Sequence, residues 1–297
     1  MNFIQEQNDI KLAVKYMLIA SFLFAFTGGF AKELSKYMSS VEVVFFRNIA
    51  GVLIITYAIY RTPIQQKGGR IFLLIGRGLV GFAALLMYFY NIANIPLAEA
   101  ITFSKTSPIF TAIFSYLILK EKLSNLAWTG IFVGFFGVLL ITGFDITALN
   151  KTEWLGILSG VGAGLAYTSI RELRKHYDTK IIVLSFMLAG TIGPVILMFI
   201  GEYYTTTTFD FIVAPFVMPE GFAWVLILGL GLSATFMQIY MTKAYSLAKG
   251  GIVGTVGYTN IIFSIMIGML LGDDFPSMVI LTGIGFIVLS GIMVTKK

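Results

Sequence analysis

Long apolar runs constrain this chain more than any other feature. A helix needs roughly 17–25 mostly apolar residues to cross a bilayer. Ten stretches meet or approach that length: 12–31, 42–60, 71–92, 96–119, 124–143, 154–171, 180–201, 221–243, 251–271 and 276–295. The sixth is the shortest and the richest in glycine, with Gly160, Gly162 and Gly164. Lipid-exposed backbone must satisfy its own hydrogen bonds, which makes these spans helices. The alternating pattern of β-barrel strands is not seen. The expected fold is therefore an all-α polytopic membrane protein of ten transmembrane helices. Composition points the same way. Hydrophobic residues make up 57% and charged residues 12% of the 297 residues, against about 45–50% and about 25% in soluble domains. A soluble enzyme, a secreted domain and a disordered chain are thereby excluded. With no cysteine and a single histidine, His176, thiolate chemistry and a Ser-His-Asp triad have almost nothing to build on. No catalytic residue, metal centre or cofactor is expected.

The first stretch follows Lys11 and Lys15, as a signal peptide would. Its apolar run is too long for one and lacks a clean small-x-small cleavage site, so it reads as an uncleaved span after a short cytoplasmic segment, 1–11. Lys and Arg positions set orientation. With the N-terminus in the cytoplasm, fifteen fall inside: Lys11, Lys15, Arg61, Lys67, Arg70, Lys120, Lys122, Arg171, Arg174, Lys175, Lys180, Lys243, Lys249, Lys296 and Lys297. Three fall outside: Lys32, Lys36 and Lys151. Both termini come out cytoplasmic in a bacterial inner membrane. The net charge of +6 is then a topology signal, and nucleic acid is not an expected partner.

The halves resemble one another. Residues 25–51 match 166–190, with Lys32-Glu33-Leu34 on Arg171-Glu172-Leu173 and Gly51 on Gly190. Further on, Gly81 to Ala98 matches Gly231 to Ala248, Glu121 falls near Asp273, and Gly130 near Gly283. Each half holds five spans, an odd number, so the second enters the membrane from the opposite side. The expected organisation is two inverted five-helix repeats, 12–143 and 154–295. In such architectures the substrate site lies near the midplane, between the halves, often at interrupted helices.

The segment Ala93–Leu123, ANIPLAEAITFSKTSPIFTAIFSYLILKEKL, resembles the ten-helix EamA-type branch of the drug/metabolite transporter superfamily. It shares a leucine-proline in a short loop, an alanine-rich helix start, a mid-helix Ser-Pro and a Glu after the helix. The Gly-rich run Gly130–Gly143, the Arg77-Gly78 pair and Phe45-Phe46-Arg47 add to the likeness. The resemblance covers essentially the whole chain as two EamA repeats. It implies a membrane transporter and no enzyme, and it says little about substrate.

Charges inside spans are the informative residues, since one at mid-bilayer costs about 2.5–3.5 kcal/mol on insertion scales. Four stand out: Arg47, Arg77, Glu99 and Lys105. Lys105 is closest to the midplane. It shares a helix face with Thr102, and Pro108 three residues later is expected to break the helix hydrogen bonding. Lys105 is expected to bind a substrate anion, with pairing to Glu99 or to carbonyls as the alternative. Arg47 and Arg77 are expected to touch substrate or to serve as structural charges, with Arg47 pairing to Glu42 one turn away. Glu99 sits near the outer mouth. Tyr88, Asn48, Gln238, Tyr258 and Asn260 are expected to complete the substrate pocket. Gly130, Gly134 and Gly137, like Gly268 and Gly272, have the spacing of close helix contacts, within a monomer or between the protomers of a homodimer.

These features give a secondary transporter that moves a small organic metabolite bearing a carboxylate or phosphate, by alternating access of the two repeats. The alternative is an exporter of neutral or cationic amphiphiles. A membrane-embedded lipid-modifying enzyme or a scramblase is a remote third. With no acid at the midplane, exchange or facilitated diffusion is favoured over ion coupling. The lipid bilayer and the small molecule are the expected partners.

Overall fold

The computed structural model describes all residues except 1–2, 63, 65–66, 121–122, 142–148, 205, 207, 248–252, 254–255 and 296–297. Among the described residues the chain is helical and has no strands. Its helices are α1 (Phe3–Leu34), α2 (Ser40–Arg61), α3 (Ile71–Asn94), α4 (Leu97–Ser104), α5 (Ser107–Leu119), α6 (Asn125–Ile141), α7 (Lys151–Leu173), α8 (Thr179–Gly201), α9 (Ala223–Leu247), α10 (Thr259–Leu270) and α11 (Met278–Thr295). Five described stretches are long and apolar enough to cross a membrane alone: Asn8–Leu34, Ser40–Arg61, Ile71–Asn94, Thr179–Gly201 and Ala223–Met241. The Gly-rich sixth span is present as α7, packed against α3, α4 and α5. The expected fourth span is two helices, α4 and α5. The ninth is likewise interrupted, at Tyr258, before α10.

Helix starts are written in local chemistry. Ser39 caps α2 in a reciprocal box with Glu42, and Asn150 caps α7 with Glu153 in the same way. Asp178 caps α8 from the place matching Ser39. Each side-chain oxygen takes a backbone N–H that the helix itself cannot satisfy.

The tertiary contacts obey an inverted repeat. α1 lies along α9, and its counterpart α7 lies along α3. α1 meets α10, as α7 meets α5; α3 meets α8, as α9 meets α2. α2 with α8, and α6 with α11, are pairs of counterparts on the symmetry axis. The protein is thus an all-α membrane fold of two inverted five-helix repeats. Small residues allow the axial contacts, because backbones approach only where side chains are absent. Gly137 lies against the Gly283 carbonyl and Ile287, and Gly134 against Ile109 and Ser290. This glycine stripe is therefore spent on the α6–α11 contact inside the chain.

Candidate functional site

The centre of the bundle is built around two interrupted helices. α4 ends at Lys105, and Thr106 begins α5 with Pro108 in its first turn. The Thr106 hydroxyl bonds back to the Phe103 carbonyl at 2.6 Å, and the Ile109 N–H goes to the Thr106 carbonyl. The Lys105 carbonyl is thereby left without a helix partner. It is met by the Tyr258 hydroxyl at 3.4 Å, from the break in the other repeat. Thr106 and Tyr258 are the N-caps of α5 and α10, with the same backbone conformation. One correction follows. Pro108 does not kink a continuous helix. It lies one turn inside a new one, where its missing N–H costs little, and the break itself falls at Lys105–Thr106.

The Lys105 ammonium lies 4.8 Å from the centre of the Phe24 ring, and Phe24 packs on Tyr88 at 5.8 Å. Among the described residues Lys105 has no hydrogen bond or ion pair from its side chain. The expected alternative pairing with Glu99 is absent. Glu99 sits instead near Asp273 and Lys32, at the far end of α4.

A second cationic cluster lies between α2, α3 and α8. The Arg47 and Arg77 guanidinium carbons stand 5.5 Å and 4.8 Å from the centre of one ring, Phe186. Both arginines are buried, at 4% and 6% exposure. Arg47 donates to Asn48 Oδ1 at 2.8 Å. It does not pair with Glu42, which instead accepts from Ser39 and from the Val217 N–H across the bundle. That too corrects expectation, and the reason is local: the third-position carboxylate of the capping box is already committed to backbone donors. Among the described residues Arg77 Nε and Nη1 have no hydrogen-bond partner, and neither has the Tyr88 hydroxyl. The shared ring puts the two guanidinium groups within about 10 Å of each other. Their repulsion is of order 1–2 kcal/mol at an effective dielectric constant near 20. Tyr88 and Tyr167 complete the cluster.

Tyr167 keeps free surface beside these groups. It shares a face of α7 with Gly156 and Gly160, which press on Phe103 and Thr106 of the broken span. It therefore points inward, yet it is 40% exposed. On another flank of Thr106 lies an apolar cavity of about 270 Å³, lined by Ile109, Phe110, Phe135, Trp154 and Ile157 among others.

Other expected site residues are spent on the fold. Thr102 is fully buried and bonds back to Ala98. Asn48 donates to the Val44 carbonyl, and Asn260 to Ser21 of α1. Gln238 is buried in α9. Phe24 and Phe186, which hold the cations, escaped sequence reasoning; Phe186 was detectable only as the counterpart of Arg47 in the aligned repeats.

One end of the bundle is tied shut. Lys32 at the end of α1 pairs with Asp273 and also donates to the Ile95 carbonyl at 3.3 Å. The other Asp273 oxygen accepts the Leu97 N–H at the start of α4, at 2.8 Å. Gly272, at φ +98°, makes the turn that brings Asp273 there. At the same end Lys151 pairs with Asp210, which also accepts from the Tyr90 hydroxyl.

Comparison with known proteins fits this geometry. Residues 11–143 match the EamA-like transporter family. An uncharacterized transporter of Helicobacter pylori is 33% identical over 97% of this chain and 96% of its own length. The pseudopaline exporter CntI of Pseudomonas aeruginosa is 30% identical over 97% of each chain. An S-adenosylmethionine uptake transporter of Rickettsia prowazekii is 24% identical over 83% of this chain and 79% of its own. A crystal structure at 17% identity superposes with a TM-score of 0.61, covering 94% of this chain and 96% of the other, and supports the fold alone.

Proposed function

Because the chain belongs to the EamA-like transporter family, we propose that this multi-pass membrane transporter of small molecules carries a metabolite bearing a carboxylate or phosphate, with Lys105 as an anion ligand. One observation carries the reading. Lys105 stands at the break of the fourth span, beside aromatic rings, with no polar partner for its ammonium among the described residues. A half-buried ammonium inside the bundle is costly unless paired, and a substrate anion supplies the pair. Tyr88 offers a hydroxyl with no partner among the described residues, and Tyr258 meets the Lys105 carbonyl; Asn48, Gln238, Asn260 and Thr102 are proposed to line the pocket in the substrate-bound state.

The repeats 12–143 and 154–295 are the two bodies that rock around this point, opening it to each side in turn. The Lys32–Asp273 tie belongs to the outer mouth, in the orientation that puts both termini in the cytoplasm of a bacterial inner membrane. The excess of Lys and Arg on the other side supports that orientation. Direction of transport is not inherited from the relatives, one of which is named an exporter and another an uptake transporter.

The test is thermal stabilisation of purified protein across a metabolite panel, on the native chain and on Lys105→Ala, followed by uptake into proteoliposomes. Ligands that bind only the folded state raise its stability by mass action. Stabilisation by carboxylates or phosphates that vanishes in Lys105→Ala supports the reading, and equal stabilisation of both chains rejects it. A second reading, export of neutral or cationic amphiphiles, rests on the apolar cavity beside Thr106. It predicts that such compounds stabilise both chains equally.

A further inference from the structure

We infer that Arg47 and Arg77 form a second anion subsite, separate from Lys105, so that the preferred substrates are dianions whose two acidic groups are held apart. The inference rests on the reading of Lys105 above and adds the substrate class to it.

Three observations carry it. First, the cluster is rich in donors. Arg side chains cannot accept a hydrogen bond; among the described residues two Arg77 nitrogens and the Tyr88 hydroxyl are unpartnered, and Arg47 bonds the neutral Asn48 oxygen. No described carboxylate pairs with either arginine. Second, like charges converge on the single Phe186 ring. If they only held helices together, bringing two unpaired cations to one buried ring would work against that purpose; a shared anion removes the repulsion. Third, Tyr167 borders both arginines and keeps 40% of its surface free, so the cluster is not sealed on that side by packing.

Phe24 and Tyr88 stand in contact between the two cationic points. A ligand bridging them presents one anion to Lys105, an apolar middle to the rings and a second anion to the arginines. Guanidinium groups suit planar carboxylates and phosphates because they donate in a fixed fork.

The experiment uses the full chain in detergent and reads thermal stability. The probes are straight-chain dicarboxylates from malonate to suberate, each beside the monocarboxylate of equal carbon number. Expected is a dicarboxylate of matching length that stabilises the native protein at concentrations roughly tenfold or more below its monocarboxylate, the worth of one charge-assisted bond. Arg77→Gln removes that advantage and leaves the monocarboxylate response intact, while Arg77→Lys keeps part of it. Without ligand, Arg77→Gln is expected to melt close to the native chain, because relief of a buried unpaired charge offsets the lost contact with Phe186. Equal responses to both probe series overturn the subsite, as does an advantage that survives Arg77→Gln, a large fall in the melting temperature without ligand, or no response at all. The two readings fail separately. If Lys105→Gln abolishes both responses and Arg77→Gln neither, the Lys105 reading stands and the second subsite falls. The reverse pattern keeps the subsite and rejects Lys105.

Discussion

Arg47 and Phe186 occupy equivalent places in the two repeats, each four residues before a helix glycine, and they stack on one another at 5.5 Å. The next position repeats the relationship. Asn48 packs against Gly190, and its counterpart Met187 packs against Gly51. The packing across the α2–α8 axis is therefore symmetric, while the chemistry is not: one repeat contributes a cation and an amide where the other contributes a ring and a thioether. A bundle that must rock symmetrically can keep its shape on the glycines and place its recognition groups on one half.

The glycines make the first prediction. A methyl at Gly190 would meet the Asn48 amide, and one at Gly51 would lie 2.5 Å from the Met187 sulfur. Gly190→Ala is expected to destabilise the protein by about 1–3 kcal/mol, the usual cost of overpacking. Gly76→Ala is the control, because nothing lies within 4 Å of that position; it is expected to be neutral or to gain up to about 1 kcal/mol from helix propensity. Thermal melts in one detergent compare them, and equal losses would place the close contact elsewhere.

The tie at the α4 end makes the second. Lys32 and Asp273 are both mostly buried, and Asp273 also caps α4. Breaking such a pair shifts an open–closed balance by about 1–2 kcal/mol, or roughly five- to thirtyfold. The chain has no cysteine, so a single Thr102→Cys reports access behind the tie. Adding Asp273→Asn is expected to speed its reaction with a membrane-impermeant maleimide by that factor. An unchanged rate would mean that this pair does not hold the end closed.

The opposite end supplies a pH dependence. The Lys175 ammonium, with Arg70 and His176 nearby, holds the Glu172 carboxyl below the ordinary carboxylate range. A depressed pKa adds stability that is complete above the unfolded value and is lost as pH falls through the folded one. The α7–α8 turn is thus expected to weaken only in acid, below the ordinary carboxylate range. Glu172→Gln should flatten that limb of a melting curve taken against pH and leave the neutral region unchanged. A mutant curve parallel to the native one would remove Glu172 from the account.

Much of this was legible in the sequence for a physical reason. Spans are long sums over apolar residues, and the repeat shows in landmarks such as Gly51 and Gly190 that backbone contact demands. Lys105 was legible as a candidate because a lone charge in an apolar run stands out, with Glu99 or helix carbonyls as the alternative partners. The partners of charges were not legible. Glu42 was expected to pair with Arg47, but the five-residue spacing turns the two apart on the helix, and Glu42 is taken by backbone donors at Ser39 and Val217. Asp273 was visible only as the counterpart of Glu121, whereas its contact with Lys32 spans 241 positions. Phe186 was one apolar residue among many until two guanidinium groups met on it.

Pro108 makes the last prediction, and it separates two causes of the helix break. In a continuous helix a residue at 108 would donate to the Ser104 carbonyl, and proline cannot. Yet the chain has already turned by Thr106, whose hydroxyl holds the Phe103 carbonyl, and the Lys105 carbonyl is taken by Tyr258. If proline alone enforced the break, Pro108→Ala would heal it, stiffen the span and slow transport. If the contact across the repeats enforces it, Pro108→Ala changes little, because proline in a first turn is nearly cost-free. Tyr258→Phe then does the damage, leaving a buried carbonyl unmet at a cost of about 1–3 kcal/mol. The structure favours the second outcome: Pro108→Ala within about 1 kcal/mol of native with transport retained, and Tyr258→Phe clearly less stable. Melting temperatures and proteoliposome flux for the two variants decide it, and a stable but inactive Pro108→Ala would return the break to the proline.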